Sequence, residues 1–272
     1  DAYNVAVGFK AGENVSTGDT NVLIGGLAGD ALTTGSHNVA VGHEALTTED
    51  AHGTNTAIGF RALKVQNAGA NAYNTAVGYS AGAAVTTGTS NTIIGGLAGD
   101  ALTTGVGNVA VGYLALSTED AHGKNVAIGK SALTAQDAGA DAYNVAVGFE
   151  AGKAVTTGTT NTLIGGLAGD AITVADHNVA VGYGALTSNV FGEYSVAIGS
   201  GALEVQNPAD GSHSVYNVAI GFNAGADITS GHGHTIIGGQ AGDAITTSID
   251  NTVMGKEALS AETTGSYNTA IG

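Results

Sequence analysis

The chain has no cysteine, one proline (Pro208) and only seven lysines and arginines among 272 residues. Without cysteine there are no disulfides and no thiolate metal sites, and the redox compartment leaves no trace in the sequence. One proline excludes a proline-rich linker. Glycine is abundant, at 45 residues, but does not recur at every third position as collagen requires. The shortage of bases against 23 acids leaves a formal net charge of −16. Such a surface repels phosphate backbones and anionic bilayers, which argues against nucleic-acid and membrane partners. No run of 18 apolar residues offers a membrane span, and no signal peptide opens the chain. Residue 1 falls in mid-repeat, the expectation for a segment of a longer protein.

What is present is enough to build a core. Hydrophobic residues make up 43% of the chain and mean hydropathy is +0.17, which argues against disorder. Much of that content is Ala, Val and Ile, small and β-branched residues suited to closely stacked strands.

The pattern of the pentapeptide Asn-Val-Ala-Val-Gly at residue 4 occurs sixteen times with variations, starting at 4, 21, 38, 55, 74, 91, 108, 125, 144, 161, 178, 195, 217, 234, 251 and 268. The steps are 17 residues, except for every fourth, which is 19, 19 and then 22. Four coils therefore form a super-repeat of 70 residues, and the third copy has 73. A short fixed period held over the whole chain means a stacked-repeat architecture.

Numbering each repeat from its first residue, position 5 is Gly in all sixteen copies and position 8 is Ala in all fifteen complete ones. Seventeen residues are too few for a βα or αα unit, and Val, Ile and Thr at positions 2–4, bounded by Asn and Gly, mark a short strand. The expectation is an all-β, parallel β-solenoid (a β-roll) of about 16 coils, a single rod over residues 1–272. Each coil would hold a strand at positions 1–5, a second extended segment near 8–12, and a Thr-Gly turn. At roughly 4.8 Å per coil the rod would be about 70 Å long. The extra residues of the fourth coils, at 67–73, 137–143 and 207–216, should bulge as loops on one edge.

Three columns carry specific expectations. Position 1 should form a stacking ladder, the side chains passing hydrogen bonds from coil to coil. Its members are Asn4, Asn21, Asn38, Asn55, Asn74, Asn91, Asn108, Asn125, Asn144, Asn161, Asn178, Asn217, Asn251 and Asn268, with Ser195 and His234 as exceptions. The glycine of position 5 should sit at a bend with positive φ or against a neighbouring backbone. Positions 9 and 12 exchange bulk: Gly12 goes with Val15 and Gly29 with Leu32, whereas Leu46 goes with Glu49 and Leu63 with Gln66. Conserved volume at a shifted site is what a close-packed continuous core would show.

Side chains alternate across a strand, so positions 2 and 4 would face the interior and position 3 the outside. Position 3 is nevertheless apolar in every copy: Ala6, Leu23, Ala40, Ala57, Ala76, Ile93, Ala110, Ala127, Ala146, Leu163, Ala180, Ala197, Ala219, Ile236, Val253 and Ala270. Read as an exposed stripe, it calls for a partner surface, most simply another copy of the chain, as a homotrimer or a filament.

The motif Tyr194-Ser195-Val196-Ala197-Ile198-Gly199 resembles the NSVAIG head repeats of trimeric autotransporter adhesins. Tyr73-Asn74-Thr75-Ala76-Val77-Gly78-Tyr79 and Asn268-Thr269-Ala270-Ile271-Gly272 are similar to the NTAVGYxAL repeats of phage tail fibres and related surface proteins. The resemblance implies a left-handed β-roll of three chains about one axis, exposed on a cell surface or virion and binding host or matrix molecules. The coil here is longer than in those heads, and the sequence contains neither a neck nor a coiled-coil stalk.

Chemistry-bearing clusters are few. Thr-Glu-Asp-Ala-His-Gly occurs at 48–53 and again at 118–123, so Glu49, Asp50, His52 and Glu119, Asp120, His122 are candidate ligands for a divalent cation. Calcium would want six or more oxygens from one site. In the third super-repeat the acids and His vanish, which favours a solvated acidic turn. Asp30, Asp100, Asp170 and Asp243 read as turn residues capping backbone N–H groups. No one column holds His37, His43, His177, His213, His232 and His234 together. No Ser, His and carboxylate recur together, so no catalytic residue is assigned and no cofactor is implied. Thr rows such as Thr33-Thr34 and Thr103-Thr104 suit water ordering, but Asp50-Ala51 and Asn67-Ala68 interrupt them.

The sequence thus points to a non-enzymatic, extracellular structural or adhesive fibre segment that self-associates and carries ligand contacts on its fourth-coil loops. The alternatives are a filament subunit polymerising end to end through uncapped edges, and an ice- or calcium-binding solenoid.

Overall fold

Each repeat lays down one three-residue strand, bounded by the position-1 residue and the position-5 glycine. The computed structural model describes residues 3–208 and 214–272, and two compact units divide it, Asp1–Asp141 and Ala142–Gly272. The first unit runs from strand β1 (Val5–Val7) to β8 (Val126–Ile128), the second from β9 (Val145–Val147) to β16 (Thr269–Ile271). Within each unit every strand pairs in parallel with the next, and equivalent positions lie opposite one another, as Ala6 with Leu23 and Leu163 with Ala180. Among the described residues there is no helix. The fold is an all-β parallel solenoid with one strand per coil. His213 and residues 209–213 of the 207–216 loop lie outside the described residues.

The second extended segment expected near positions 8–12 is not a strand: consecutive turns occupy positions 5–12. The amide of position 8 donates to the carbonyl of position 5, and that of position 12 to that of position 9, as in Ala28 to Gly25 (3.3 Å) and Leu32 to Gly29 (3.2 Å). Positions 7 and 9 both take positive φ, for example Arg61 (58°) and Leu63 (48°). Each such residue turns its peptide to bond along the stack. Leu27 N–H reaches Phe9 C=O of the preceding coil at 2.8 Å, and Gly29 N–H reaches Ala45 C=O of the following coil at 3.0 Å. The inter-coil ladder therefore continues past the strand without extended backbone.

Gly25, at position 5, meets both conditions set for its column. Its φ is +131°, where only glycine is comfortable, and a methyl group there would lie 2.5 Å from the carbonyl oxygen of Gly42.

The strand's phase is the reverse of the sequence expectation. Position 3 faces the interior: Leu23, Ala40, Ala57, Ala76, Ile93, Ala110 and Ala127 in the first unit are at most 1% exposed. In the second unit Ala146, Leu163, Ala180, Ala197, Ala219, Ile236 and Val253 are fully buried. Only the terminal strands differ, with Ala6 exposed and Ala270 half-buried. These residues are therefore core, not a self-association stripe. Alanine predominates there, and Leu or Ile takes its place only in coils whose position 9 is glycine.

The bulk exchange read at positions 9 and 12 extends to position 3. Where position 9 is Leu, position 3 is Ala, as in the coils of Leu46, Leu63, Leu116 and Leu133, with Val253 beside Leu259 as the exception; where position 3 is Leu or Ile, position 9 is Gly. The fit is tight: a methyl group on Gly29 would fall 2.7 Å from Leu23 Cδ2 and 2.8 Å from Leu32 Cδ1. Interiors at crystal-like density tolerate no further carbon at such a place.

Candidate functional site

With position 3 inside, positions 2 and 4 look outward, and they carry only Val, Thr, Ile and one Met in all sixteen strands. Ile24, Ile58, Ile94 and Ile128 in the first unit are 38–39% exposed, while Val41, Val77 and Val111 in the intervening strands are half-buried. Position 4 alternates Val and Ile strictly from Val7 to Ile198, a relief that repeats every two coils.

Aromatic side chains bracket this face. Every tyrosine and four of the five phenylalanines sit at position 6 or at the residue just before position 1. In the first unit His43, Phe60 and Tyr79 stack along the row, with centroids 5.7 and 5.3 Å apart. In the second, His177, Tyr194 and Tyr216 do the same at 5.2 and 5.0 Å. Arg61 lies over the Phe60 ring at 4.8 Å and pairs through Nε with Glu44 at 2.7 Å. Lys64 joins it at 2.8 Å, and the two cations hold the Glu44 carboxyl down at about 2. Of the 23 acids only Asp250 falls on the strand or flanking columns. The negative charge therefore lies elsewhere on the coil. Neither the Val–Ile alternation nor the aromatic columns entered the sequence reading, although tabulating residues by coil position reveals both.

The ladder forms as expected, with a specific geometry. Within each unit the Asn Oδ1 accepts the backbone N–H of the next position 1, as Asn21 does from Asn38 (2.9 Å) and Asn161 from Asn178 (3.0 Å). Its amide group donates to the carbonyl of position 15 in its own coil: Asn21 to Gly35 and Asn161 to Ala175, both 2.8 Å. One side chain thus ties the coil's end to the next coil's start. His234 substitutes closely, with Nε2 against Ser248 C=O at 2.9 Å and Nδ1 accepting Asn251 N–H at 3.2 Å. Burial holds its pKa below the usual imidazole range. Asn55 shows what a longer coil costs. Position 15 of its coil is Gly69 in the loop, and its buried amide nitrogen has no partner.

Of the ionisable groups in the acidic turns, only the aspartates and histidines are solvated. Glu49 and Glu119 have fully buried side chains, and burial raises both carboxyls above the ordinary glutamate range. Glu49 Oε1 accepts His52 N–H at 3.3 Å, and Glu119 Oε1 accepts His122 N–H at 3.2 Å. Asp50 and Asp120 are exposed, and in each turn one donor atom from each of the three residues lies within 4.8 Å of the others. The Asp30 and Asp100 carboxyls are half-buried, raised by desolvation, and partly capped by their own backbone amides. Asp30, Asp100 and Asp243 each keep one buried oxygen without a partner, whereas Asp170 accepts the Thr187 hydroxyl.

Fold and surface together define a parallel β-solenoid with one uncharged, aromatic-edged strand face. No protein-family model matches the chain, and neither a curated protein nor a solved structure is found to match it.

Proposed function

We propose that this chain is a structural fibre segment that associates with further copies of itself through the outward faces of its strands. The observation that carries the reading is the uncharged position-2 and position-4 face with its two-coil alternation of Val and Ile. A second copy has the same period, so isoleucine ridges and valine hollows stay in step over the strands from Val7 to Ile198. No partner of different repeat length keeps that register. Eight strands at about 4.8 Å, each some 20 Å wide with its aromatic borders, offer roughly 800 Å² per unit, the share one partner buries in a standard stable interface. Aromatic enrichment and depletion of charge at the centre are what interface cores show.

In this reading the chain acts outside the cell, on a cell surface or virion, in keeping with the repeats it resembles. It performs no catalysis. Loops 67–73, 137–143 and 207–216 carry whatever ligand contacts it makes.

Light scattering during size-exclusion chromatography tests the association. The full chain should elute with a mass of two or more times 26.4 kDa. Ile58→Lys with Ile94→Lys should reduce it to one chain without altering the circular dichroism. A single-chain mass for the unaltered protein at micromolar concentration overturns the reading.

A further inference from the structure

The two acidic turns hold more polar groups than a turn needs. In two other coils a polar residue at position 12 closes the end of the coil unaided. Asn189 Oδ1 accepts Gly192 N–H at 2.9 Å and its amide donates to Gly192 C=O at 2.7 Å. Glu262 Oε1 accepts the amides of Thr263, Thr264 and Gly265. Glu49 and Glu119 do the same work with Oε1 alone, and each leaves Oε2 buried without a partner. Beside each stands a second buried, unpartnered atom, Nδ1 of His52 or His122. The Nδ1 to Oε1 separations are 3.8 and 3.7 Å, too long for a hydrogen bond.

The gap suits a cation. Two ligands held at 2.0–2.1 Å in a tetrahedral shell stand about 3.3 Å apart, and a small rotation of the imidazole closes the difference. Asp50 and Asp120 supply a third donor from the solvent side, and Glu, Asp and neutral His together balance a 2+ charge.

The backbone around each turn is already committed. Thr33 N–H donates to Asp50 C=O (2.6 Å), Thr34 Oγ1 to Ala51 C=O (3.2 Å) and Asn38 Nδ2 to His52 C=O (3.2 Å). Thr103, Thr104 and Asn108 hold residues 120–122 in the same way. Calcium takes oxygen ligands alone, whereas an imidazole nitrogen with two carboxylates is a donor set that suits a transition ion.

We propose that Glu49, Asp50 and His52, and equally Glu119, Asp120 and His122, bind a divalent transition-metal ion of the zinc class, giving two equivalent sites per chain. The ion ties the end of the third coil of each super-repeat in the first unit. The third super-repeat, with Asn189, Val190 and Gly192 at the corresponding positions, has no such site.

The test loads chelator-treated full-length protein with Zn²⁺ alone and measures bound metal per chain after dialysis. Two equivalents are expected. Glu49→Gln with His52→Gln should remove one, and adding Glu119→Gln with His122→Gln should remove the other. Gln66 and Gln136 occupy position 12 of the following coils, so the substitution is compatible with the fold, which circular dichroism checks. Co²⁺ loading should give tetrahedral visible bands that halve and then vanish in the same series. No uptake of either ion, or uptake unchanged in the fourfold variant, overturns the proposal.

Discussion

Ile93 and Ile94 are neighbours of identical chemistry on β6 (Thr92–Ile94), and the structure assigns them opposite fates. Ile93 is fully buried, whereas Ile94 is 39% exposed. Ile93→Ala removes three carbons from a site whose neighbours cannot fill the space, because two of them are glycines. Hypothetical methyl groups on Gly82 and Gly99 already fall 2.9 and 3.4 Å from the Ile93 side chain. Buried Ile→Ala changes cost about 2–5 kcal/mol, and without collapse the upper half applies, so about 4 kcal/mol is expected. That lowers the midpoint of thermal unfolding by on the order of 10 °C. Ile94→Ala should cost about 1 kcal/mol or less in folding, its main effect falling on association. The bulk exchange supplies a rescue. Ile93→Ala with Gly99→Leu and Leu102→Gln recreates the coil of Ala57, Leu63 and Gln66, and Gly99 (φ +49°) already has the backbone of Leu63 (φ +48°). The triple variant should recover more than half of the loss. Urea and thermal unfolding followed by circular dichroism decide it. An Ile94→Ala cost exceeding that of Ile93→Ala, or no rescue, refutes the packing described here.

Three further outcomes follow from other columns. Gly25→Ala combines a φ closed to other residues with a collision against the Gly42 carbonyl, and should cost at least about 3 kcal/mol in urea unfolding. Asn161→Ala leaves a buried N–H at Asn178 and a buried C=O at Ala175 unpaired, for a loss of about 3 kcal/mol by the same assay. His234 has its pKa lowered by burial, so the unfolded chain binds the proton more readily. The stability this site contributes is present above about pH 6.5 and is lost as pH falls through the lower folded value. His234→Asn should therefore gain on the parent as pH drops from 8 to 5. A difference in melting temperature that stays constant over that range contradicts the assignment.

The periodicity, the parallel stacking, the role of the position-5 glycine and the Asn ladder were all legible, because each depends on a residue type that recurs in one column. The direction of the strand was not. Val-Ala-Val is apolar on both sides, so alternation alone cannot say which side is inside. The deciding fact was bulk: Leu23 and Ile93 appear at position 3 only where position 9 is glycine, a correlation within the core. The turns at positions 7 and 9 were hidden because Lys10, Glu44 and Arg61 adopt positive φ without being glycine. Glu49 read as a solvated acid because nothing local distinguishes it from Asp50, yet the coil buries one and exposes the other. Position 12 is buried in every coil from Leu32 to Ile245, and its burial follows from the coil, not from its polarity.

Because the chain has no cysteine, single cysteines on one strand test the central claim directly. Thr92→Cys, Ile93→Cys and Ile94→Cys are each oxidised under mild conditions and examined on a denaturing gel. If copies meet face to face through positions 2 and 4, the variants at 92 and 94 form disulfide-linked dimers, since bridged Cβ atoms need lie only about 4 Å apart. The variant at 93 stays monomeric and protected from thiol reagents. Cross-linking at 93 alone, or none at any of the three, contradicts the account.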